Sequence, residues 1–273
     1  MISLYNLKMF ARRFGIAAFA AVVIVFLKTA IPAQGPAKVN PRQSNPSGQQ
    51  QNTDNPQKTN SRQAASKTDD VKKTTIDFGE PRIIYNFVIK GRPVDQIKIE
   101  NDFSGRAILT FHRREGNEEI TQEITLSTEI LDKIGSALKA LDFLNSNENY
   151  QYEKDYSHLG TTTITMIEKG KSRTAAFNWT QNAFAKQLAD EYRRIALREI
   201  WVFDFNTARE NQPLETPHLM ETFDSMLAMN DIADPRQMIP FFKDCISDER
   251  IPLIARNRAA SILKKIEKIK PAK

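Results

Sequence analysis

The chain has 273 residues, of which 26% are charged and 40% hydrophobic, and its formal net charge is +6. The first 75 positions hold eleven basic and three acidic residues, which leaves 28 basic and 30 acidic residues, a net charge of −2, for residues 76–273. The positive excess therefore belongs to the N-terminal segment, and nucleic acid is excluded as the expected partner of the remainder. A single cysteine also excludes an intramolecular disulfide.

The N-terminus has the charge pattern of a secretory segment. Arg12 and Arg13 precede an unbroken apolar run from Phe14 to Leu27. This order directs a chain to or across a bacterial-type plasma membrane, with the positive end in the cytoplasm. Because residues 14–31 approach the ~17–25 residues that span a bilayer, we expect this segment to contact lipid.

Residues 1–33 are interpreted as either a cleaved signal peptide or an uncleaved signal anchor. The nearest cleavage site ends at Ala33 and includes Ile31 and Pro32, a poor match to the preferred small residues, which favours the anchor. The folded body then lies outside the cytoplasm. It is held by a single pass through the plasma membrane or, after cleavage, is secreted or periplasmic, and both arrangements place it in the cell envelope.

Residues 34–75 consist largely of Gln, Asn, Ser, Thr, Pro and Lys, with Val39 and Val71 as the only large aliphatic side chains. Such a segment cannot bury enough apolar surface to offset the entropy lost on ordering. The composition predicts a disordered polar linker that tethers the body.

An α+β domain is predicted for residues 76–206. Between Pro81 and Leu126, apolar residues alternate with other residues in short runs separated by turns, which predicts an antiparallel meander. The alternating residues are Ile83, Tyr85, Phe87, Ile89, Ile97, Ile99, Ala107, Leu109, Phe111, Ile120, Ile124 and Leu126.

The meander is followed by a helix and a hairpin. Ser127 is suited to cap a helix that continues to Phe143. Two strands, Thr161–Ile167 and Ser172–Trp179, are joined by a Gly-containing turn over residues 169–171. The meander and hairpin are thus predicted to supply the strands of the domain.

A long helix from Asn182 to Phe205 is predicted to close the domain. Its buried face is expected to carry Phe184, Leu188, Tyr192 and Ile195. Residues 200–205 are apolar on nearly every side of the helix, and such a segment is usually buried. We therefore expect a seam there between the α+β domain and the C-terminal helices.

The order of strands, helix, hairpin and helix between Ile83 and Ile195, with Gly160 and three threonines leading into the hairpin, resembles small bacterial metalloprotease inhibitors of the emfourin type. The resemblance implies a protease inhibitor. The chain departs from that family in its first hairpin, where Gly91, Arg92 and Pro93 replace a glycine-rich segment.

Residues 207–273 are predicted to form a helical part packed on the α+β domain. Its three helices run from about Pro217 to Met229, Pro235 to Ser247 and Pro252 to Ile269. The first of the last two helices begins with Ile-Pro-Phe-Phe, a corner follows at Asp248, and the second helix carries Arg258, Ala259, Ala260, Leu263 and Ile266. In these residues the two helices resemble a single HEAT-type helical pair. Because one pair is not a repeat array, the resemblance implies a helical hairpin that caps the α+β domain.

The last 23 residues carry a net charge of +6. We expect a solvated helix face whose cations favour the helix dipole. The alternative is contact with phospholipid or with an acidic partner.

Few residues suggest chemistry. His112, His158 and His218 are far apart, and none has another His or Cys at metal-ligand spacing. Cys245 falls on an apolar helical stripe near a helix C-terminus, which favours a buried thiol. The sequence therefore predicts no catalytic residue, no metal site and no cofactor.

The segment from Asn145 to Gly160 has the most unusual surface chemistry. It is polar, yet it contains three tyrosines, which supply large rigid contacts at low entropic cost in recognition loops. The predicted binding residues are Tyr150, Tyr152, Tyr156, Asp155 and His158. The alternative is that the tyrosines fasten the loop to the sheet.

These features favour a non-catalytic binding module that contacts an envelope protein or a cell-wall component. Two other functions stay open: a protease inhibitor, and a hydrolase whose residues converge only in three dimensions.

Overall fold

The computed structural model describes residues 78–270, which belong to the compact unit Asp69–Lys273. The predicted signal segment at 1–33, its apolar stretch at 14–31 and the predicted linker at 34–75 lie outside the described residues. Within 78–270, no helix combines the length and the hydrophobicity that crossing a bilayer requires.

Six antiparallel strands form one sheet in the order β4-β3-β2-β1-β5-β6. The strands are β1 (Arg82–Val88), β2 (Val94–Asp102), β3 (Arg106–Arg113), β4 (Glu118–Thr125), β5 (Thr161–Glu168) and β6 (Lys171–Phe177). The α+β class predicted from the sequence is confirmed. β1 lies inside the sheet because it pairs with β2 on one side and with β5 on the other, so the meander and the hairpin join along it.

The β5–β6 hairpin has a tighter turn than the sequence predicted. Lys169 and Gly170 both have positive φ, 51° and 74°, the combination that a two-residue type I′ turn requires. Lys171, which we expected in the turn, instead pairs with Glu168 as the first residue of β6.

Five α-helices complete the described part of the chain: α1 (Thr128–Ala140), α2 (Ala183–Asn211), α3 (Thr216–Ala228), α4 (Ile239–Ser247) and α5 (Leu253–Glu267). The Ser127 side chain caps α1, and the Asn182 side chain accepts from the first amides of α2. α2 is longer than predicted. It continues past Phe205 to Asn211 and ends shortly before Pro213, which cannot donate a helical hydrogen bond.

The described residues form two hydrophobic clusters that meet on α2. The first lies between the sheet, α1 and the earlier turns of α2, and the second lies among the last turns of α2 and helices α3, α4 and α5. Ile200 and Phe203 pack against the first cluster, whereas Trp201 and Phe205 are buried in the second. Phe184, expected on the buried face, is instead 46% exposed because it lies in the first turn of α2, at the margin of the packed region.

The helical pair α4–α5 is connected by a corner at Asp248. The carboxylate of Asp248 accepts from the backbone amide and the guanidinium of Arg250 and lies 3.4 Å from the guanidinium of Arg209. Hydrogen bonding by Arg250 lowers the pKa of Asp248 to about 2. Cys245 is fully buried in α4, and burial raises the pKa of its thiol to about 12.

Asp102 organises the β2–β3 turn. Its carboxylate accepts from the Ser104 amide at 2.8 Å, the Ser104 hydroxyl, the Arg106 guanidinium at 3.0 Å and the Gly79 amide at 3.1 Å. Burial alone would raise the pKa of Asp102, but these hydrogen bonds outweigh it and hold the pKa below 3.8. Asp102 therefore connects the turn to the segment that precedes β1.

We expect Asp102→Asn to lower the free energy of unfolding at neutral pH by about 1.5–3 kcal/mol, the range for hydrogen bonds to a charged group. A carboxylate with a lowered folded-state pKa stabilises the fold above its unfolded pKa, and that contribution disappears as pH falls through the folded value. The difference between wild type and variant should therefore shrink below pH 3.8. Urea unfolding over an acidic pH series measures it, and a difference independent of pH would contradict this role.

Candidate functional site

The segment between α1 and β5 runs along β6, which is an edge strand of the sheet. Arg173 of β6 donates to the carbonyl of Phe143 at 2.6 Å, to the carbonyl of Glu148 at 2.7 Å and to the hydroxyl of Tyr150 at 3.0 Å. Its guanidinium also lies 4.8 Å from the ring centroid of Phe143 and 5.0 Å from that of Tyr150. One side chain thus fastens the loop to the edge of the sheet.

Tyr150 is a core residue. It is only 3% exposed, and its ring packs against Phe143 at 6.2 Å and Phe177 at 6.4 Å between centroids. The structure therefore removes Tyr150 from the predicted set of surface contacts, because its ring faces the sheet and its hydroxyl is held by Arg173. Tyr150 therefore has the alternative role considered for the tyrosines, which is to fasten the loop to the sheet.

A second anchor joins the loop to the end of β6. The Asn178 amide donates to the side-chain oxygen of Gln151 at 2.8 Å, and the Gln151 side-chain nitrogen donates back to the Asn178 side chain at 2.9 Å. The Tyr152 amide donates to the carbonyl of Trp179 at 3.0 Å. The side-chain nitrogen of Asn178 also donates to Asp155, so this predicted contact residue already uses one carboxylate oxygen to hold the loop.

These two anchors place three aromatic side chains together at the surface: Tyr152, Tyr156 and Trp179, which we call the aromatic surface. The ring centroids of Tyr152 and Trp179 are 4.6 Å apart, those of Tyr156 and Trp179 are 5.7 Å apart, and those of the two tyrosines are 6.3 Å apart. The tyrosine rings are nearly parallel, with 18° between their planes, and the Trp179 ring is steeply inclined to both. Both tyrosines are partly exposed, and Trp179 is 36% exposed.

The border of the aromatic surface carries charged and apolar groups. His158 is exposed and its ring meets Tyr156 edge-on at 6.1 Å, while the ammonium of Lys154 lies 5.3 Å from the Tyr156 centroid. Val88 and Leu159, exposed by 43% and 38%, lie at the same end of the sheet, because Val88 pairs with Thr161 at the start of β5. The sheet therefore presents apolar surface to solvent at this end.

Trp179 is the residue that the sequence did not place in the site. The alternation of β6, with Ala175 and Phe177 buried, predicts that Trp179 also faces the core. The strand ends at Phe177, however, and Trp179 turns outward to meet the tyrosines. The only sequence signal for an exposed position is that Trp179 stands immediately before the turn that leads into a helix.

The other candidate residues do not converge. His112 lies between Asp95, 2.6 Å from its Nδ1, and Asn117, 3.2 Å from its Nε2, and the hydrogen bond to Asp95 raises its pKa. His218 is exposed on α3 beside Glu221. Among the described residues, no three His, Cys, Asp or Glu side chains are grouped as metal ligands.

A cleft of about 470 Å³ lies between the β2–β3 turn and α1 and has no histidine or cysteine in its lining. The lining residues are Phe103, Ser104, Leu126, Thr128, Leu131, Asp132, Gly135, Ser136 and Lys139.

No protein-family model matches the chain, and no curated protein matches it.

Arg173→Lys is expected to lower the free energy of unfolding by about 2 kcal/mol, because a single ammonium nitrogen cannot take the places of the two guanidinium nitrogens that donate, and it lacks the planar group that lies against two rings. Hydrogen exchange of the amides from Glu148 to Tyr152 should speed up more than that of the sheet. Lys171→Ala, an exposed change on the same strand, is the control. Unchanged loop exchange in Arg173→Lys would contradict the anchoring role.

Gly160→Ala should be far more damaging than Gly170→Ala. Gly160 has φ 85° and ψ 174°, a combination essentially confined to glycine, and a Cβ there would lie 2.7 Å from the Phe87 ring and 2.8 Å from the Val88 carbonyl oxygen. Gly170 also has positive φ, but nothing lies within 4 Å of its Cβ position. We expect losses of about 3 kcal/mol or more for Gly160→Ala and about 1 kcal/mol for Gly170→Ala. Equal urea midpoints for the two variants would show that close packing at Gly160 is unimportant.

Proposed function

We propose that this protein is a non-catalytic binding module of the cell envelope, and that it contacts an envelope protein or a cell-wall component through the aromatic surface. The observation that carries the proposal is the partial exposure of Tyr152 and Tyr156, on a loop that is firmly held, together with Trp179 beside them after β6. In a loop with no binding role, such rings would normally turn into the core or be replaced by polar residues, because clustered exposed apolar surface promotes association.

The rigidity of the loop supports a binding role. Gln151 and Asn178 satisfy each other's amide groups, and Arg173 satisfies two loop carbonyls. The aromatic side chains are therefore already ordered before any partner arrives. A partner that binds an ordered surface loses less conformational entropy, which raises affinity for a given contact area.

Neither Cys245 in α4 nor His158 beside the aromatic surface has the surroundings that nucleophilic catalysis needs. Burial raises the pKa of the Cys245 thiol to about 12, opposite to the change that activates a nucleophile. His158 contacts the Tyr156 ring and has no carboxylate partner among the described residues. These observations favour binding over a hydrolase.

The place of binding follows from the sequence. The arginines and the apolar run at the N-terminus direct the chain to or across the plasma membrane. The partner proposed for the aromatic surface is accordingly a component outside the cytoplasm.

The decisive experiment compares recovery of envelope components on the immobilised full chain. The variant Tyr152→Ala, Tyr156→Ala, Trp179→Ala should recover its specific partner at least ~10-fold less than wild type, since aromatic residues dominate binding energy at such surfaces. The control Leu214→Ala, Leu253→Ala, Ile254→Ala removes three exposed apolar side chains elsewhere and should bind normally. Quenching of Trp179 fluorescence by the purified partner then tests contact directly.

The variant Tyr150→Phe distinguishes anchoring of the loop from direct contact with a partner. It keeps the buried ring and removes only the hydroxyl that accepts from Arg173, so partner recovery should match that of wild type. Equal recovery of every component by wild type and the triple aromatic variant would overturn the assignment of the aromatic surface.

A further inference from the structure

The charges of the described residues are strongly separated along the chain. Residues 78–250 carry 21 basic and 28 acidic side chains, a net charge of −7, whereas residues 251–270 carry six basic side chains and one acidic. The second group belongs to α5 and the turn that follows it. A small acidic body therefore bears one concentrated positive region.

Part of this positive charge is neutralised within the fold. Lys265 lies 2.6 Å from Asp224 of α3, and Arg258 pairs with Glu221 of the same helix. Three exposed lysines, Lys264, Lys268 and Lys270, make no ion pair within residues 78–270. We call these three residues the basic stripe. They form the positive surface that stays available to a partner.

The structure keeps the basic stripe pointed to solvent. Ile262, Leu263 and Ile266 of α5 are buried against the second hydrophobic cluster, so Lys264 and Lys268 occupy the opposite face, one turn apart. Arg236 donates to the carbonyl of Ile269 at 2.8 Å and adds a further cation beside the end of the helix. Ile269 is itself 37% exposed among these charges.

The helix dipole accounts for only part of this arrangement. Cations near a helix C-terminus are favourable, but the effect falls off within the last turn. Like charges four residues apart, as in Lys264 and Lys268, repel one another in an isolated helix. An anionic surface facing the stripe would remove that repulsion and use the exposed Ile269 as an apolar contact.

We propose that the basic stripe docks the body on an anionic phospholipid surface. The inference rests on the membrane location in the proposed function, because a chain directed to a bilayer meets lipid phosphates before other polyanions. Each lysine near such a surface contributes a factor of about five to binding. The aromatic surface stays accessible, since it lies beside the first turn of α2. In contrast, α5 packs in the cluster of Trp201, about 27 Å from the start of that helix at 1.5 Å per residue.

The test uses hydrogen exchange of the full chain bound to vesicles of phosphatidylcholine alone or of phosphatidylcholine mixed with phosphatidylglycerol. We expect exchange in the last two turns of α5 to slow at least ~5-fold on the anionic vesicles, an effect removed by high salt. The basic N-terminal segment is the same in every stripe variant, so its own attraction to the anionic vesicles does not produce a difference between those variants. Because no protein partner is added, failure of the aromatic-surface assignment leaves the result unchanged.

Matched variants distinguish the effect of the basic stripe from the effect of the total charge of the chain. Lys264→Gln, Lys268→Gln, Lys270→Gln should abolish the lipid dependence, whereas Lys90→Gln, Lys171→Gln, Lys186→Gln removes three exposed lysines elsewhere and should keep it. Lys→Arg at the three stripe positions keeps the charge and should restore the slow exchange even if the glutamine variant frays α5. Equal exchange on both vesicle types in wild type, or lipid dependence that survives in the stripe variant, would overturn the proposal.

Discussion

The packing of Tyr192 between α2 and the sheet determines how the rest of the described structure is arranged. Its ring is stacked on Tyr85 of β1 with centroids 4.9 Å apart and 7° between the planes, and its hydroxyl donates to Asn101 of β2 at 2.8 Å. All three side chains are buried, and burial raises the pKa of both tyrosines. α2 is thereby fixed in position and rotation on the inner strands.

Two consequences follow from this position. The first turn of α2 lies beside the aromatic surface, where the Asn182 side chain also donates to Glu148 of the loop at 3.0 Å. The last turns provide Trp201 and Phe205 as the inner wall of the second cluster, and Arg198, 1% exposed, reaches the carbonyl of Ala233 at 2.9 Å. One helix therefore supports both the proposed binding surface and the helices that carry the basic stripe.

The loop is also fastened to an edge strand of the sheet. β6 is an edge strand, and an uncovered edge can pair with another chain. The hydrogen bonds of Arg173 and Asn178 hold the loop along this edge. The same contacts that fasten the loop give the aromatic side chains their fixed positions, so the fold of the loop and the proposed binding surface depend on one set of residues.

The sequence by itself determined the local elements. Apolar alternation predicted the strands, and Ser127 and Asn182 marked the starts of α1 and α2, because these signals depend only on neighbouring residues. It also determined the separation of charge along the chain. Only the tertiary structure decided that Tyr150 is buried and that Trp179 joins the surface tyrosines. The first outcome depends on Arg173 and Phe177, 23 and 27 residues from Tyr150 in the chain, and the second on Tyr152, 27 residues from Trp179. No local period encodes such distant contacts.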